Sequence, residues 1–251
     1  MDQQLNIIKV GGKVLEDAGA LQTFLDDFSV LQGAKLLVHG GGRAATDMAG
    51  RLGIETQMVD GRRITDENML EVVTMVYGGL VNKKVVAQCQ ARGMNAPGLT
   101  GADLDLIRAR KRTGREVDYG FVGDVESVHV KALASLVKQG IVPVIAPLSH
   151  DGKGQMLNTN ADTIASALAV GFAEIFDTRL VYCFEKPGVL INPDDDQSVI
   201  PFLNRELFNM YREEGIIAEG MVPKLETGVV EVVITNVDGL SIPGRGTTLG
   251  E

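Results

Sequence analysis

The sequence predicts an α/β protein built on a mainly parallel sheet that helices cover on both faces. Two observations predict this class. Apolar runs bounded by glycine alternate with amphipathic stretches of helical period. The order strand, helix, strand, helix persists along the chain, and that order places crossover helices between parallel strands. The length of 251 residues suits one large or two small domains.

Each element follows from its local pattern. Residues 5–10 (L-N-I-I-K-V) read as the first strand, closed by Gly11-Gly12. Leu21, Phe24, Leu25, Phe28 and Leu31 recur at helical spacing and predict a helix over 21–31. Residues 35–38 form a second short strand, closed by Gly40-Gly41-Gly42, and residues 44–52 a helix. Residues 66–92 predict one long helix. Met69, Leu70, Val73, Val76, Leu80 and Val81 give its apolar positions, and Thr65 its N-cap. Residues 106–130 alternate polar and apolar with glycine breaks, the pattern of hairpins. A helix over 130–139 and a buried strand over 140–147 follow, then an alanine-rich helix over 161–170 and a buried strand over 180–184. Residues 205–213 and 224–232 read as helical, and Pro193-Asp194-Asp195-Asp196 as a surface turn. A domain boundary falls near 172–178.

Composition narrows the function. The formal net charge is −9, which argues against a nucleic-acid partner and leaves any phosphate site to local amides and a few cations. The 30 glycines exceed the usual level of about 7% and fit backbone loops that approach a ligand closely. Cys89 and Cys183 match no metal or redox spacing and read as buried free thiols. That usage fits a reducing cytosol. Met-Asp-Gln-Gln opens the chain without a basic segment, and no apolar run approaches 18 residues. Neither a signal peptide nor a membrane span is expected.

Two glycine clusters each follow a strand and precede a helix: Lys9-Val10-Gly11-Gly12 and His39-Gly40-Gly41-Gly42. Free amides at such junctions favour an anion. Neither cluster ends in Lys-Ser/Thr as a P-loop does, and no G-x-G-x-x-G dinucleotide pattern occurs. No G-x-S-x-G elbow accompanies His39-Gly40-Gly41-Gly42, which removes the esterase reading. Lys9 interrupts an apolar strand. It is either an edge-strand lysine or a cation facing phosphate at the strand end. In Asn158-Thr159-Asn160-Ala161-Asp162, either Asn160 caps a helix and Asp162 complements its dipole, or Asn158 and Asp162 gather polar groups where the next strand-to-helix turn opens. Gly220-Met221-Val222-Pro223-Lys224 and Arg62-Arg63 are weak signals taken singly. Arg108, Arg110, Lys111, Arg112 and Arg115 read as a solvated hairpin, and His129 and His150 lack partner spacing.

Taken together these strings resemble the amino acid kinase family. The likeness covers nearly the whole chain and rests on K-V-G-G at 9–12, H-G-G-G at 39–42, D-G-R-R-I-T at 60–65, G-F-V-G at 120–123, N-T-N-A-D at 158–162 and G-M-V-P-K at 220–224. It implies the amino acid kinase fold, a three-layer αβα sandwich around an open, mainly parallel sheet. Residues 1–175 would bind the acylamino acid and mediate dimerisation, and residues 176–251 would bind the nucleotide. The implied reaction moves the γ-phosphoryl of ATP, with Mg2+ as part of the co-substrate, to the side-chain carboxylate of N-acetyl-L-glutamate, in arginine biosynthesis. By the same resemblance Lys9 and Lys224 match lysines that stabilise the transferring group, and Asp162 the carboxylate that positions them. Gly12 and Gly41 match amide donors to the phosphoryl oxygens. Gly41, Gly42, Arg63 and Asn158 fall on the substrate side; Gly12, Gly188, Gly220 and Met221 fall on the nucleotide side. No tightly bound protein metal is expected, since magnesium would ride on ATP phosphates and water. The chain begins almost at its first strand, without the helix that builds hexamers in arginine-inhibited relatives, which implies a homodimer without that feedback; the cysteine usage makes it a cytoplasmic one.

The chemistry agrees with this reading. A glutamate side chain, with a pKa of about 4.3, is already ionised near neutral pH and needs no general base. Charge repulsion between nucleophile and phosphates is the obstacle, and cations and amides relieve it. There are departures. Phe184-Glu185-Lys186-Pro187-Gly188 stands where the family usually has an aspartate before Pro-Gly-Val, and Lys13, Arg43 and Arg62 are unexpectedly basic. They either lie in solvent or serve a second carboxylate, as in N-succinyl-L-glutamate. The remaining alternatives are a non-catalytic sensor on the same fold, which retention of both lysines disfavours, and a carbamate, aspartate or uridylate kinase.

Overall fold

The computed structural model describes residues 4–59, 61–114, 116–213, 231–242 and 244–250. The chain starts with β1 (Gln4–Val10), buried from Leu5 onward. Two helices follow, α1 (Gly12–Glu16) and α2 (Ala18–Val30); the Asp17 carboxylate caps α2 by accepting from the Ala20 N–H. Next come β2 (Ala34–His39), α3 (Gly42–Arg51) and a hairpin of β3 (Met58–Val59) and β4 (Arg62–Arg63). The long helix is α4 (Glu67–Val73), eight π-helical residues Thr74–Val81, and α5 (Asn82–Gln90). It is followed by β5 (Gly98–Leu99), β6 (Ile107–Lys111), β7 (Gly123–Val128) and α6 (Val130–Lys138). Then β8 (Val144–Ile145), β9 (Leu148–His150) and β10 (Met156–Asn158) lead into α7 (Ala161–Phe172). The last elements are β11 (Asp177–Phe184), β12 (Phe202–Leu203), α8 (Arg205–Glu213), β13 (Glu231–Asn236) and β14 (Thr247–Leu249).

Eight strands form one sheet in the order β12-β14-β13-β11-β1-β2-β8-β5. All pairings from β13 across to β5 are parallel, and β14 runs antiparallel to β13. Alternation along β1 sends Leu5 and Ile7 into one apolar cluster with Leu168 and Phe172 of α7. Ile8 and Val10 enter another with Phe24 and Phe28 of α2. A sheet buried on both faces reads as nearly continuous apolar runs, as the interiors of β1 and β2 do apart from Asn6, Lys9 and Lys35. Lys9 shares the face of Ile7, the face that α7 covers. A smaller sheet, β10-β9-β6-β7, includes the antiparallel pair expected of residues 106–130.

Four expectations are corrected. The N-cap of the long helix is Asp66, whose carboxylate accepts from the Met69 N–H. Thr65 is held extended, because its backbone pairs with Tyr119 and Phe121. Within 140–147 only Val144 and Ile145 join the sheet, since Gly140 (φ +77°) closes α6. Of the helix placed at 224–232, residues 224–230 lie outside the described residues, and Glu231 and Val232 open a strand. E-V-V-I-T-N is β-branched and pairs with β11, and that pairing overrides the helical spacing. Lastly, Arg112 of the basic hairpin is mostly buried in an ion pair with Asp124; Arg115 lies outside the described residues. Among the described residues, no helix is long and apolar enough to cross a membrane.

Lys35 of β2 shows how this packing is secured. Its buried ammonium donates to the carbonyls of Phe28, Ser29 and Leu31 at 2.8, 2.7 and 3.1 Å, where α2 ends. Burial lowers its pKa. Lys35→Met would strand three acceptors, and urea unfolding should show a loss of about 2–3 kcal/mol, with kcat unchanged.

Candidate active site

The site begins with a buried ion pair. Asn160 caps α7, its side chain accepting from the Asp162 and Thr163 N–H groups at 2.9 and 3.0 Å. This sets Asp162 in the first turn, where helix amides favour a negative charge. Across the gap to β1, Lys9 Nζ lies 2.9 Å from Asp162 Oδ1, with side-chain exposures of 8% and 17%. The same ammonium sits 4.3 Å above the Phe184 ring. The Tyr182 hydroxyl donates to the Asp162 carbonyl at 3.3 Å. Burial, with Asp162 nearby, raises its pKa and keeps it protonated. The interior lysine therefore has its anionic partner, and its place at the end of a central strand removes the edge-strand reading.

Two glycine loops meet beside this pair. The Gly11 N–H donates to the Cys183 carbonyl and the Gly40 N–H to the Val10 carbonyl, at 3.0 and 3.2 Å. A Cβ on Gly40 would stand 3.3 Å from the Gly12 nitrogen, and one on Gly12 would stand 4.0 Å from the Gly41 nitrogen. The two amide sets are thus neighbours. Gly41 also abuts Tyr77, where a Cβ would come within 2.9 Å of Cδ1.

His39 supports the second loop from beneath. Its ring is fully buried; Nδ1 lies 2.7 Å from the Gly40 carbonyl, and Nε2 lies 3.1 Å from Asn82 Nδ2. The contacts assign Nδ1–H as donor and Nε2 as acceptor, a neutral ring. Burial drives the His39 pKa down to about 4. Unfolded histidine titrates near 6.5, so between the two values only the unfolded chain binds this proton. Stability should therefore fall as pH drops from about 6.5 toward about 4, by up to about 3 kcal/mol. His39→Gln should flatten that part of the urea-unfolding pH profile.

A cavity of about 200 Å³ opens next to the loops, lined among others by Gly41, Gly42, Arg62, Arg63, Tyr77 and Asn158. Arg63 is buried. Its Nη2 donates to the Gly42 carbonyl and Thr46 Oγ1 at 2.7 and 2.8 Å, and its Nη1 to Thr56 Oγ1 at 3.3 Å. Asn158 Nδ2 donates to Thr65 Oγ1 at 3.0 Å. A second, larger cavity of about 410 Å³ lies at the C-terminal ends of β11 and β13, with Pro187, Asp196, Asn236, Asp238 and Arg245 in its wall. Lys9 stands near the C-terminal end of β1, which lies in the sheet between β11, whose end leads to the larger cavity, and β2, whose glycine loop lines the smaller.

The structure thus gathers Lys9, Asp162, Gly12, Gly41, Gly42, Arg63 and Asn158 into one region. Gly188 stands behind the larger cavity, where a Cβ would meet Thr247 Oγ1 at 2.7 Å; its neighbour Pro187 lines the wall. Lys224, Gly220 and Met221 lie outside the described residues. Of the basic departures, Arg62 lines the smaller cavity. Arg43 is 60% exposed and 3.0 Å from Glu16, so it belongs to a surface pair between α1 and α3. Lys13 pairs with Glu185. His129 and His150 both approach the Asp105 carboxylate, a clustering that spacing alone did not indicate. Among the described residues, no group of three or more His, Cys, Asp or Glu side chains is arranged to hold a metal ion.

Known proteins resemble this chain in sequence and in fold. The sequence pattern of the amino acid kinase family matches residues 4–238. A protein of Phocaeicola vulgatus named acetylglutamate kinase is 58% identical over 256 residues, covering 99% of both chains. One of the same name from Bacteroides fragilis is 57% identical, covering 97% of this chain and 96% of its own. The fold matches the crystal structure of smu.665 from Streptococcus mutans UA159, with a TM-score of 0.80, 23% identity and 98% of each chain covered.

Proposed function

The chain belongs to the amino acid kinase family, and from that premise we propose that it transfers the γ-phosphoryl group of ATP to the side-chain carboxylate of N-acetyl-L-glutamate. The products are N-acetyl-L-glutamyl 5-phosphate and ADP, in arginine biosynthesis. One observation carries the reading: a buried lysine–carboxylate pair lies against two touching glycine loops, with a cavity to either side. That arrangement suits two anionic reactants that must be brought into line.

We assign the smaller cavity to the acylamino acid and the larger to the nucleotide, which corresponds to residues 1–175 and 176–251 on one continuous sheet. Lys9 neutralises charge on the transferring phosphoryl group, and Asp162 holds Lys9 in place before substrate arrives. The Gly12 and Gly41 amides donate to the phosphoryl oxygens. On the family resemblance Lys224 is assigned with Lys9 to the transferring phosphoryl group, and Gly220, Met221 and Gly188, which stands behind the wall of the larger cavity, to the nucleotide side. Arg63 takes the α-carboxylate, and Asn158 and Gly42 complete the substrate contacts. The acceptor carboxylate is ionised at neutral pH, so no base is required, and His39 is buried in the neutral form. Magnesium enters with ATP as part of the substrate, held by phosphates and water. We further infer a cytoplasmic homodimer; the two buried free thiols suit a reducing compartment, and light scattering would test the dimer.

A coupled ADP-release assay with ATP and N-acetyl-L-glutamate tests the proposal, and absence of turnover would reject it. Arg62 in the cavity wall beside Arg63 favours a second acceptor, N-succinyl-L-glutamate, whose extra carboxylate would meet its guanidinium; the same assay compares the two. Arg63→Lys should raise KM for the acylamino acid about tenfold and leave KM for ATP within twofold, because an ammonium lacks the planar two-pronged contact. If the larger effect fell on ATP, Arg63 would belong to the nucleotide.

A further inference from the structure

An ion pair on the route between the two cavities has no part in the reaction as assigned. Lys13 stands in the first turn of α1, directly after Gly11-Gly12. Its Nζ lies 3.4 Å from Glu185 Oε2, and the side chains are 61% and 46% exposed. Glu185 follows Phe184, whose ring carries the Lys9 ammonium, and precedes Pro187 of the larger cavity by two residues. A triphosphate with its nucleoside in the larger cavity and its γ-phosphoryl at Lys9 runs past residues 184–187. So long and exposed a pair holds its partners weakly. A polyphosphate presents several negative charges where Glu185 presents one.

We propose that Lys13 is a further nucleotide-binding residue, whose ammonium leaves Glu185 for the polyphosphate chain of ATP. Glu185 is then a placeholder that keeps Lys13 over the phosphate path and competes mildly with the nucleotide. The inference rests on assigning ATP to the larger cavity.

The test is steady-state kinetics on the full chain, with inorganic triphosphate as a probe that lacks the nucleoside. Lys13→Met should raise KM for MgATP about tenfold, the size of one lost charge-assisted contact. It should weaken competitive inhibition by triphosphate by a similar factor, with KM for the acylamino acid within twofold and Tm unchanged. Glu185→Gln should lower KM for MgATP about twofold, and should do nothing in the Lys13→Met background. Four results would each overturn the proposal: Lys13→Met with wild-type KM for MgATP, triphosphate that fails to inhibit the wild type, triphosphate inhibition equal in wild type and variant, or a Glu185→Gln effect that persists without Lys13. Lack of phosphoryl transfer by the wild type would instead reject the kinase reading itself.

Discussion

Lys9→Met is expected to lower kcat by about 10²–10³-fold, the cost of one preorganised contact worth about 2.7–4 kcal/mol in the transition state. The ammonium is fixed before the reaction by Asp162 at 2.9 Å and by the Phe184 ring, so no reorganisation is left for the chemical step. Removing it also leaves Asp162 without its cation inside the protein. Breaking a buried pair costs about 3–5 kcal/mol of stability, an upper figure here because the first turn of α7 also favours the carboxylate. A second substitution separates the two effects. Lys9→Met with Asp162→Asn should recover most of the lost stability in urea unfolding and none of the lost turnover. If Lys9→Met turned over ATP at near the wild-type rate, the phosphoryl-transfer assignment would fall.

Gly41→Ala should reduce kcat/KM for the acylamino acid by about 10²-fold. The added methyl would stand 2.9 Å from Tyr77 Cδ1 and 3.1 Å from Cε1, and Tyr77 is itself buried in the long helix. Neither partner yields freely, so the loop shifts and carries its amide off line. A displacement near 1 Å can cost about 10²-fold in rate. Trimming the obstacle supplies the control: Gly41→Ala combined with Tyr77→Leu should regain most of the activity. Full activity of Gly41→Ala alone would show that the loop has room the structure does not grant it.

Much of this architecture was legible in the sequence because its strands announce themselves. The runs at 5–10, 35–38 and 180–184 are mainly apolar, broken by Asn6, Lys9 and Lys35 alone, and glycine stops the first two. The site was legible where spacing carries chemistry: Lys9 two residues before a glycine pair, and Asn160 and Asp162 at a helix start. What remained hidden depends on contacts between distant segments. Nothing near Thr65 shows that Tyr119 and Phe121 will hold it extended, so it resembled a cap. Glu231 and Val232 stand at the end of the run read as helix over 224–232, and only pairing with β11 makes them the start of a strand. Asn82, which fixes His39, is 43 positions away from it. Arg43 and Arg62 look alike in sequence, yet one meets Glu16 at the surface and the other faces the cavity.

The π-helical stretch Thr74–Val81 has a consequence in helical phase. Its wide turns bring the Asn82 N–H back to the Tyr77 carbonyl, five residues earlier. It therefore joins two helical segments in a phase that an α-helix of the same length would not give. Tyr77 before the join faces Gly41, and Asn82 after it reaches His39. Each residue of an α-helix advances the phase by about 100°. If these same eight residues wound as an ordinary α-helix, the phase at Asn82 would run well past its present value and carry that side chain away from His39. Most exposed side chains here, such as those of Met75 and Leu80, can be exchanged at little cost, but the winding cannot. The segment sets the phase for the site, and a change that rewinds it into α-helical turns is the change that it forbids.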